Sequence, residues 1–227
     1  MTQRKGIVFM VDKGVVLALN GELKSDKEEY RKFIDRNNNL LIGADGGALF
    51  LEKIGFLPDV VIGDFDSLTE EKIAHLKKMG VEIKKYPAEK DETDGELALE
   101  YCRDNGYTDI IIIGSLGGRF DQQLANVFLL EYAHRSGLNA VIKEPGLELG
   151  VIYKEKVICN KKGSSISLIP LNDRVAGVSI GGCKYGLDNE SLLRYKSRGI
   201  SNLIVSERAS ISVKTGLLLY IINEQGY

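Results

Sequence analysis

The sequence predicts an α/β plus all-β architecture: a mostly parallel, helix-covered sheet over residues 1–142, followed by a β-sandwich over residues 143–227. Two observations carry this. Up to about residue 140, short β-branched apolar runs alternate with helical segments, the pattern of a parallel sheet buried on both faces. Beyond Gly137 the runs stay short, glycine and Asn/Asp turns separate them, and Pro145 and Gly146 interrupt the chain at the change.

In order, Gly6–Val11 and Val15–Leu19 read as strands. A helix follows from Asp26 to about Asn37, with Ser25 and Glu28 in capping-box register. Leu40–Gly43 is the next strand and delivers Asp45, Gly46 and Gly47 at the opening of a helix that runs to about Ile54. Val60, Val61 and Ile62 are too brief a run for a helix and end at Gly63. A helix over Thr69–Met79 and a strand over Val81–Lys85 come next, then a charged loop opened by Pro87. The helix over Asp94–Asn105 carries Leu97, Ala98, Tyr101 and Cys102 at core spacing. The strand Asp109–Ile113 leads through GSLGGRFDQ into a helix over Asp121–Arg135. In the second half, strands are expected at 140–142, 150–153, 156–159, 166–169, 175–180, 203–205, 209–213 and 217–222, with a helical turn near Glu190.

Composition removes several classes of function. With 30 Lys plus Arg against 32 Asp plus Glu, net charge −2, no global field draws the chain to nucleic acid or to an anionic membrane. The 3 cysteines have neither zinc-knuckle pairing nor the density of a secreted scaffold. The apolar run Ile7–Val11 is shorter than a signal-peptide core, and no segment has the length of a membrane span, so a cytoplasmic protein is expected. With only His75 and His134, a multi-histidine metal site is excluded.

The polar residues that remain cluster at strand ends. Asp64 and Asp66 follow Gly63 directly; in an extended chain their side chains would leave one face roughly 6–7 Å apart, a spacing that suits a shared divalent cation. A plainer account has Asp64 opening a turn and Ser67, three residues before Glu70, capping the next helix. Asp45 ends a second strand, Lys90 with Thr93 and Asp94 follows a third, and Gly117, Gly118, Arg119 and Asp121 follow a fourth. In an open parallel sheet ligands collect outside the carboxyl ends of the strands, so these clusters share one edge. Several aspartates with two cations, Lys90 and Arg119, suit a polyphosphate held with Mg²⁺, an ion usually bound by few carboxylates together with phosphate oxygens. There is no Gly-Lys-Ser/Thr, no GxGxxG and no Ser/His/Asp triad, so a nucleotide would be held by another loop set.

ADGGA at 44–48, PDVVIGDFDS at 58–67, KDETD at 90–94 and GSLGGRFDQQLAN at 114–126, in this order and before a β-rich half, resemble the thiamin pyrophosphokinase family. The resemblance implies an α/β domain joined to a β-sandwich, a homodimer with its sites between subunits, and Mg²⁺-dependent transfer of the pyrophosphoryl group of ATP to the hydroxyl of thiamine. It implies Mg²⁺ binding by Asp64, Asp66 and Asp94, with Asp45 and Gly46 close by. Lys90, Thr93 and Arg119 would contact phosphates beside Gly117 and Gly118, and Asp121 would hold that loop or the nucleotide. SIGGCKYGL at 179–187 resembles the thiamine-pocket segment, where Tyr185 would stack on the pyrimidine or face the thiazolium and Ser201 and Asn202 would bond ring atoms. Gln122 stands where the family often has His, Cys183 where Leu is usual, and Gly199 replaces the first Ser of an SxSN element. The proton acceptor for in-line attack would be Asp64 or Asp94. Two other classes share the features: a DxD nucleotide-sugar glycosyltransferase, and a non-catalytic nucleotide sensor.

Overall fold

The computed structural model describes residues 14–224, so the strand expected over Gly6–Val11 lies outside the described residues. The chain divides between Glu144 and Pro145 into two compact units.

In the first unit, β1 (Gly14–Ala18), β2 (Asn39–Ala44), β3 (Val60–Gly63), β4 (Glu82–Lys85), β5 (Asp109–Ile113) and β6 (Asn139–Glu144) pair in the order β6-β5-β1-β2-β3-β4, and every pairing is parallel. Between them run α1 (Lys27–Arg31), α2 (Gly47–Lys53), α3 (Glu70–Lys78), α4 (Asp94–Asp104) and α5 (Phe120–Arg135). Val16 and Ala18 of β1 pack into a cluster with Tyr30, Phe50 and Leu51, while the alternate Val15 and Leu17 are just as buried. Both faces of the sheet's centre are therefore covered, which is why β1, β3 and β5 read as continuous apolar runs, while edge strand β4 (EIKK) does not. From β1 the chain steps outward to β4, then returns to the other side of β1 for β5 and β6. The chain therefore leaves β1 toward β2 on one side and β5 toward β6 on the other, and at the carboxyl ends of such a reversal open α/β sheets bind their ligands.

The second unit holds two antiparallel sheets. One has the order β12-β9-β14-β7, from β7 (Leu147–Ile152), β9 (Ser165–Pro170), β12 (Asn202–Leu203) and β14 (Leu218–Asn223). The other has the order β11-β10-β13-β8, from β8 (Glu155–Cys159), β10 (Arg174–Gly181), β11 (Leu187–Leu193) and β13 (Arg208–Ser212). Ile166, Leu168, Leu218 and Tyr220 of the first sheet and Ile158, Val175, Val178 and Ile211 of the second meet in one core, so the unit is a β-sandwich.

Five local expectations need correction. The first helix ends at Arg31, not near Asn37; the Arg31 guanidinium bonds the Ile54 carbonyl at 2.6 Å, and Asp35 organises a turn by accepting from the Asn37 and Asn38 nitrogens. Its cap is Asp26, whose carboxylate accepts from Glu28 N–H, rather than Ser25. Thr69, not Ser67, caps α3. The polar stretch around Glu190 is strand β11, paired along β10; its exposed Asp188 and Asn189 hide the alternation that would have marked it. The run 140–142, grouped with the β-rich half by its brevity, instead extends the first sheet as β6, parallel to β5.

Candidate active site

The carboxyl edge of the first unit's sheet opens into a cleft of about 570 Å³. Asp45, Asp64, Asp66, Lys90, Thr93, Asp94, Gly117, Gly118 and Arg119 all line it. Gly46 lies just behind the wall, and Asp121 stands outside the lining, paired with Arg119.

Asp45 is delivered by β2 in a left-handed conformation, φ 45°, with its N–H bonded to the Ile62 carbonyl of β3 at 2.8 Å. Glycine must follow. A Cβ on Gly47 would sit 1.9 Å from the Ala18 carbonyl oxygen of β1, so only a bare backbone lets α2 start this close to the sheet. That close start places Asp45 beside the end of β3, where a Cβ on Gly63 would lie 3.2 Å from the Asp45 Cβ and 3.3 Å from the Asp94 Cγ.

Beyond β3 the chain does not stay extended as the spacing argument assumed. Phe65 takes φ 68° and is buried, and the Asp64 carboxylate accepts the Asp66 N–H at 3.1 Å, an Asx-turn. The turn does more than the plainer account allowed: it folds Asp64 and Asp66 back so that one oxygen from each of Asp45, Asp64 and Asp66 lies within 4.8 Å of the others. Asp45 is only 8 % exposed, and its Oδ1 is buried with no hydrogen-bond partner. Burial pushes its carboxyl above the ordinary range, Asp66 and Asp94 add to the rise by repulsion, and bonds from the Ser67 hydroxyl and Gly46 N–H pull the other way. An unpaired buried carboxylate oxygen beside two more carboxylates, with no histidine or thiol among them, is a donor set that fits a hard divalent cation.

Asp94 stands next to this trio, outside its 4.8 Å limit. It opens α4 under a complete capping box, in which Thr93 Oγ1 accepts from Glu96 N–H and the Glu96 carboxylate accepts from Thr93 N–H. One Asp94 oxygen takes a bond from Lys90 Nζ at 2.7 Å, with the lysine side chain only 12 % exposed. Across the cleft, Gly117 takes φ 103°, and a Cβ there would meet Glu22 at 2.6 Å. Arg119 and Asp121 form a two-bond fork, Nε to Oδ1 at 3.1 Å and Nη2 to Oδ2 at 2.5 Å, both largely exposed. The Arg119 partnership holds the Asp121 carboxyl below its ordinary range.

Sequence reasoning missed a group on the β1 side. Asn20, Gly21, Glu22 and, from the middle of α5, Asn126 also line the cleft. Gly21 N–H bonds the Gly114 carbonyl at 2.7 Å and Glu22 N–H the Leu116 carbonyl at 3.1 Å, which carries the β1–β5 pairing into the loops. An Asn-Gly step after a strand reads as an ordinary turn, and nothing short of the strand order would have promoted it.

The second unit has its own pocket, about 310 Å³, lined by Ile180, Tyr185, Leu187, Arg198, Gly199, Ile200 and Asn202 among others. Tyr185 is 61 % exposed there. The Asn202 amide is already engaged: Oδ1 accepts from Tyr185 N–H at 3.0 Å and from Leu203 N–H at 2.9 Å, and Nδ2 donates to the Tyr185 carbonyl at 2.7 Å. Asn202, expected to bond a ligand ring, lines this pocket and also clamps the Tyr185 backbone. Ser201 sits outside this lining, φ 55°, with its N–H on Ser167 Oγ at 3.0 Å. Among the described residues no helix is long and apolar enough to cross a membrane.

Residues 30–142 match the family model described as thiamin pyrophosphokinase, catalytic domain, and residues 152–218 match thiamin pyrophosphokinase, vitamin B1 binding domain. The chain is similar to the thiamine pyrophosphokinase of Bacillus subtilis (strain 168), 30 % identical over 186 residues, covering 81 % of this chain and 87 % of that one. Its fold superposes on a crystal structure of thiamine pyrophosphokinase from Bacillus subtilis with TM-score 0.80 at 26 % identity, over 93 % of this chain and 99 % of the other. A thiamin pyrophosphokinase structure from Geobacillus thermodenitrificans gives TM-score 0.77 at 29 % identity, over 92 % and 96 %.

Proposed function

The chain belongs to the thiamin pyrophosphokinase family, and from that premise we propose that it is an ATP:thiamine diphosphotransferase whose acidic cleft binds the nucleotide. The thiamine hydroxyl attacks the β-phosphorus of ATP, the bond from that phosphorus to the α-β bridging oxygen breaks, and AMP leaves as thiamine diphosphate forms. One observation carries this reading: Asp45, which has a buried and unpartnered carboxylate oxygen, lines the same cleft as Asp64, Asp66, Lys90 and Arg119. Such an oxygen is costly unless a cation completes it.

Asp45, Asp64 and Asp66 hold Mg²⁺ in this reading, with Asp94 beside them; the ion supplies charge neutralisation on the triphosphate. The chain's own residues do the rest. Lys90, kept in place by Asp94, and Arg119, kept in place by Asp121, bind phosphate oxygens, while Gly117 and Gly118 let backbone approach them. A cleft carboxylate, Asp64 or Asp94, takes the hydroxyl proton. Tyr185 presents its ring to the thiamine in the second unit's pocket, Asn202 sets the position of that tyrosine, and the protein works as a homodimer.

The experiment is incubation with Mg²⁺, ATP and thiamine, with AMP and thiamine diphosphate resolved by chromatography. Asp66→Asn is expected to abolish turnover while circular dichroism stays native. Wild-type-like turnover in that variant would remove the metal assignment. A glycosyltransferase would instead release a nucleoside diphosphate from a sugar donor, and a sensor would bind ATP and form no AMP.

A further inference from the structure

Glu144, the last residue of β6, is 7 % exposed and does not line the cleft. The chemistry above makes no use of it. A carboxylate at that depth needs donors on its oxygens. Its Oε1 accepts from Ser115 N–H at 2.7 Å and from Ser115 Oγ at 3.0 Å, and Leu116 N–H and the Tyr30 hydroxyl also bond to it. Burial still pushes its carboxyl above the ordinary range against the pull of those donors, so this is an expensive residue for a merely structural position.

The donors show what it is for. Ser115 is 1 % exposed and opens the loop that brings Gly117, Gly118 and Arg119 to the cleft. That loop's carbonyls are taken by neighbouring donors: Gly114 by Gly21 N–H, Leu116 by Glu22 N–H, and Ser115 by Asn126 Nδ2 at 2.8 Å. The amides of Ser115 and Leu116 go to Glu144. Carbonyls pulled one way and amides the other fix the plane of each peptide, and with it the direction in which the next residues leave.

We propose that Glu144 is a positioning residue for the nucleotide: by holding Ser115 it sets the orientation of the loop 114–119 that meets the phosphates. This rests on reading the cleft as the ATP site. A positioning role separates from plain stability in the kinetics, because the loop serves one substrate and not the other. In the full-length protein, well below its melting temperature, Glu144→Ala is expected to raise KM for ATP about tenfold, the scale of losing bonds to a charged acceptor, with KM for thiamine nearly unchanged. Glu144→Gln keeps an oxygen toward Ser115 N–H and is expected to restore KM for ATP to within about threefold of wild type. Amide exchange, read without nucleotide, should quicken at 114–119 in Glu144→Ala while β1, β2 and β3 stay protected. Should that variant fail to fold, Ser115→Ala, which drops the hydroxyl bond alone, should show the same selectivity for ATP at a smaller rise. Both KM values rising together, Glu144→Gln as impaired as Glu144→Ala, or unchanged loop exchange would each overturn the proposal. A wild type that forms no AMP would instead sink the reading of the cleft, and loop exchange would still decide whether Glu144 holds Ser115.

Discussion

Neutralising Asp45 should make the metal-free protein more stable, because this carboxylate is held where its own charge is unwelcome. One oxygen from each of Asp45, Asp64 and Asp66 falls within 4.8 Å of the others. At that separation two unit charges repel by about 3.5 kcal/mol at an effective dielectric of 20, and by about 1 kcal/mol in water. Asp66 is exposed and Asp64 half-buried, so the water end of the range applies, at about 1 kcal/mol for each pair. Asp45→Asn removes both pairs and the repulsion from Asp94, and it weakens the bonds from Ser67 and Gly46 by about 0.5–1 kcal/mol. The net gain is roughly 1–2 kcal/mol, which for a chain of this size raises Tm by about 2–8 °C in EDTA. With Mg²⁺ the order should close or invert: wild type gains about 2.7 kcal/mol at 100 times Kd, and the variant gains less for want of a ligand. Differential scanning calorimetry in EDTA and across a Mg²⁺ series reads both effects. A fall in Tm for Asp45→Asn in EDTA, or an equal Mg²⁺ response in the two proteins, would refute the argument.

Gly47→Ala puts a Cβ 1.9 Å from the Ala18 carbonyl, a backbone atom that cannot step aside; urea unfolding should show a loss of roughly 1–3 kcal/mol or more, with turnover falling because Asp45 shifts with α2. Thr93→Ala removes half of the capping box that opens α4 at Asp94, so a loss of about 1 kcal/mol in chemical denaturation is expected, and Thr93→Ser should restore it. Among the thiols, exposed Cys159 should react with a disulfide reagent in the native protein, while Cys102, buried and pushed up to about 12, stays silent until unfolding. The same shift gives a sign for pH. The folded state keeps the Cys102 proton after the unfolded chain has lost its own near about 8.5. Its contribution is whole below that value and is lost as pH rises from there toward about 12. Thermal unfolding of Cys102→Ala against wild type across that window checks the slope.

Much of the fold was legible because the first unit's central strands are buried on both faces. Val60, Val61 and Ile62 announce themselves by β-branching alone, and residues at strand ends could be assigned to one edge without knowing the strand order. What that order adds could not be read. β1 and β5 are neighbours although more than ninety residues separate them, and only that pairing brings Asn20, Gly21 and Glu22 to the cleft. The sequence put Asp45 near Asp64 and Asp66 but did not show that these three, rather than a set with Asp94, come within 4.8 Å of one another, since that depends on β2 lying against β3 and on a left-handed Phe65. Asn202 lines the second unit's pocket as expected, and what the sequence did not show is that its amide also holds the Tyr185 backbone: a buried amide next to a strand finds backbone partners. Glu144 stayed hidden because a glutamate ending an alternating strand looks like any solvated terminus.

The placement of cost and compensation along the sheet edge also has a logic. Asp45 and Phe65 both adopt left-handed backbone without being glycine, a conformation that costs of order 1 kcal/mol or more at each position. Phe65 offsets its share by burying its ring with Leu68, Leu76 and Val81, worth about 1.5–3 kcal/mol for a side chain of that size. Asp45 has no such return, since one of its carboxylate oxygens is buried without a partner. It is held instead from both sides by backbone, through its N–H to Ile62 and its carbonyl to Ala48 N–H, between strands whose residues are almost fully buried. The strain is therefore confined to a few residues on top of a rigid sheet, and a bound cation is the element that would relieve it. An aspartate with one oxygen kept unpaired by so much well-packed structure is better explained by what it binds than by what it stabilises.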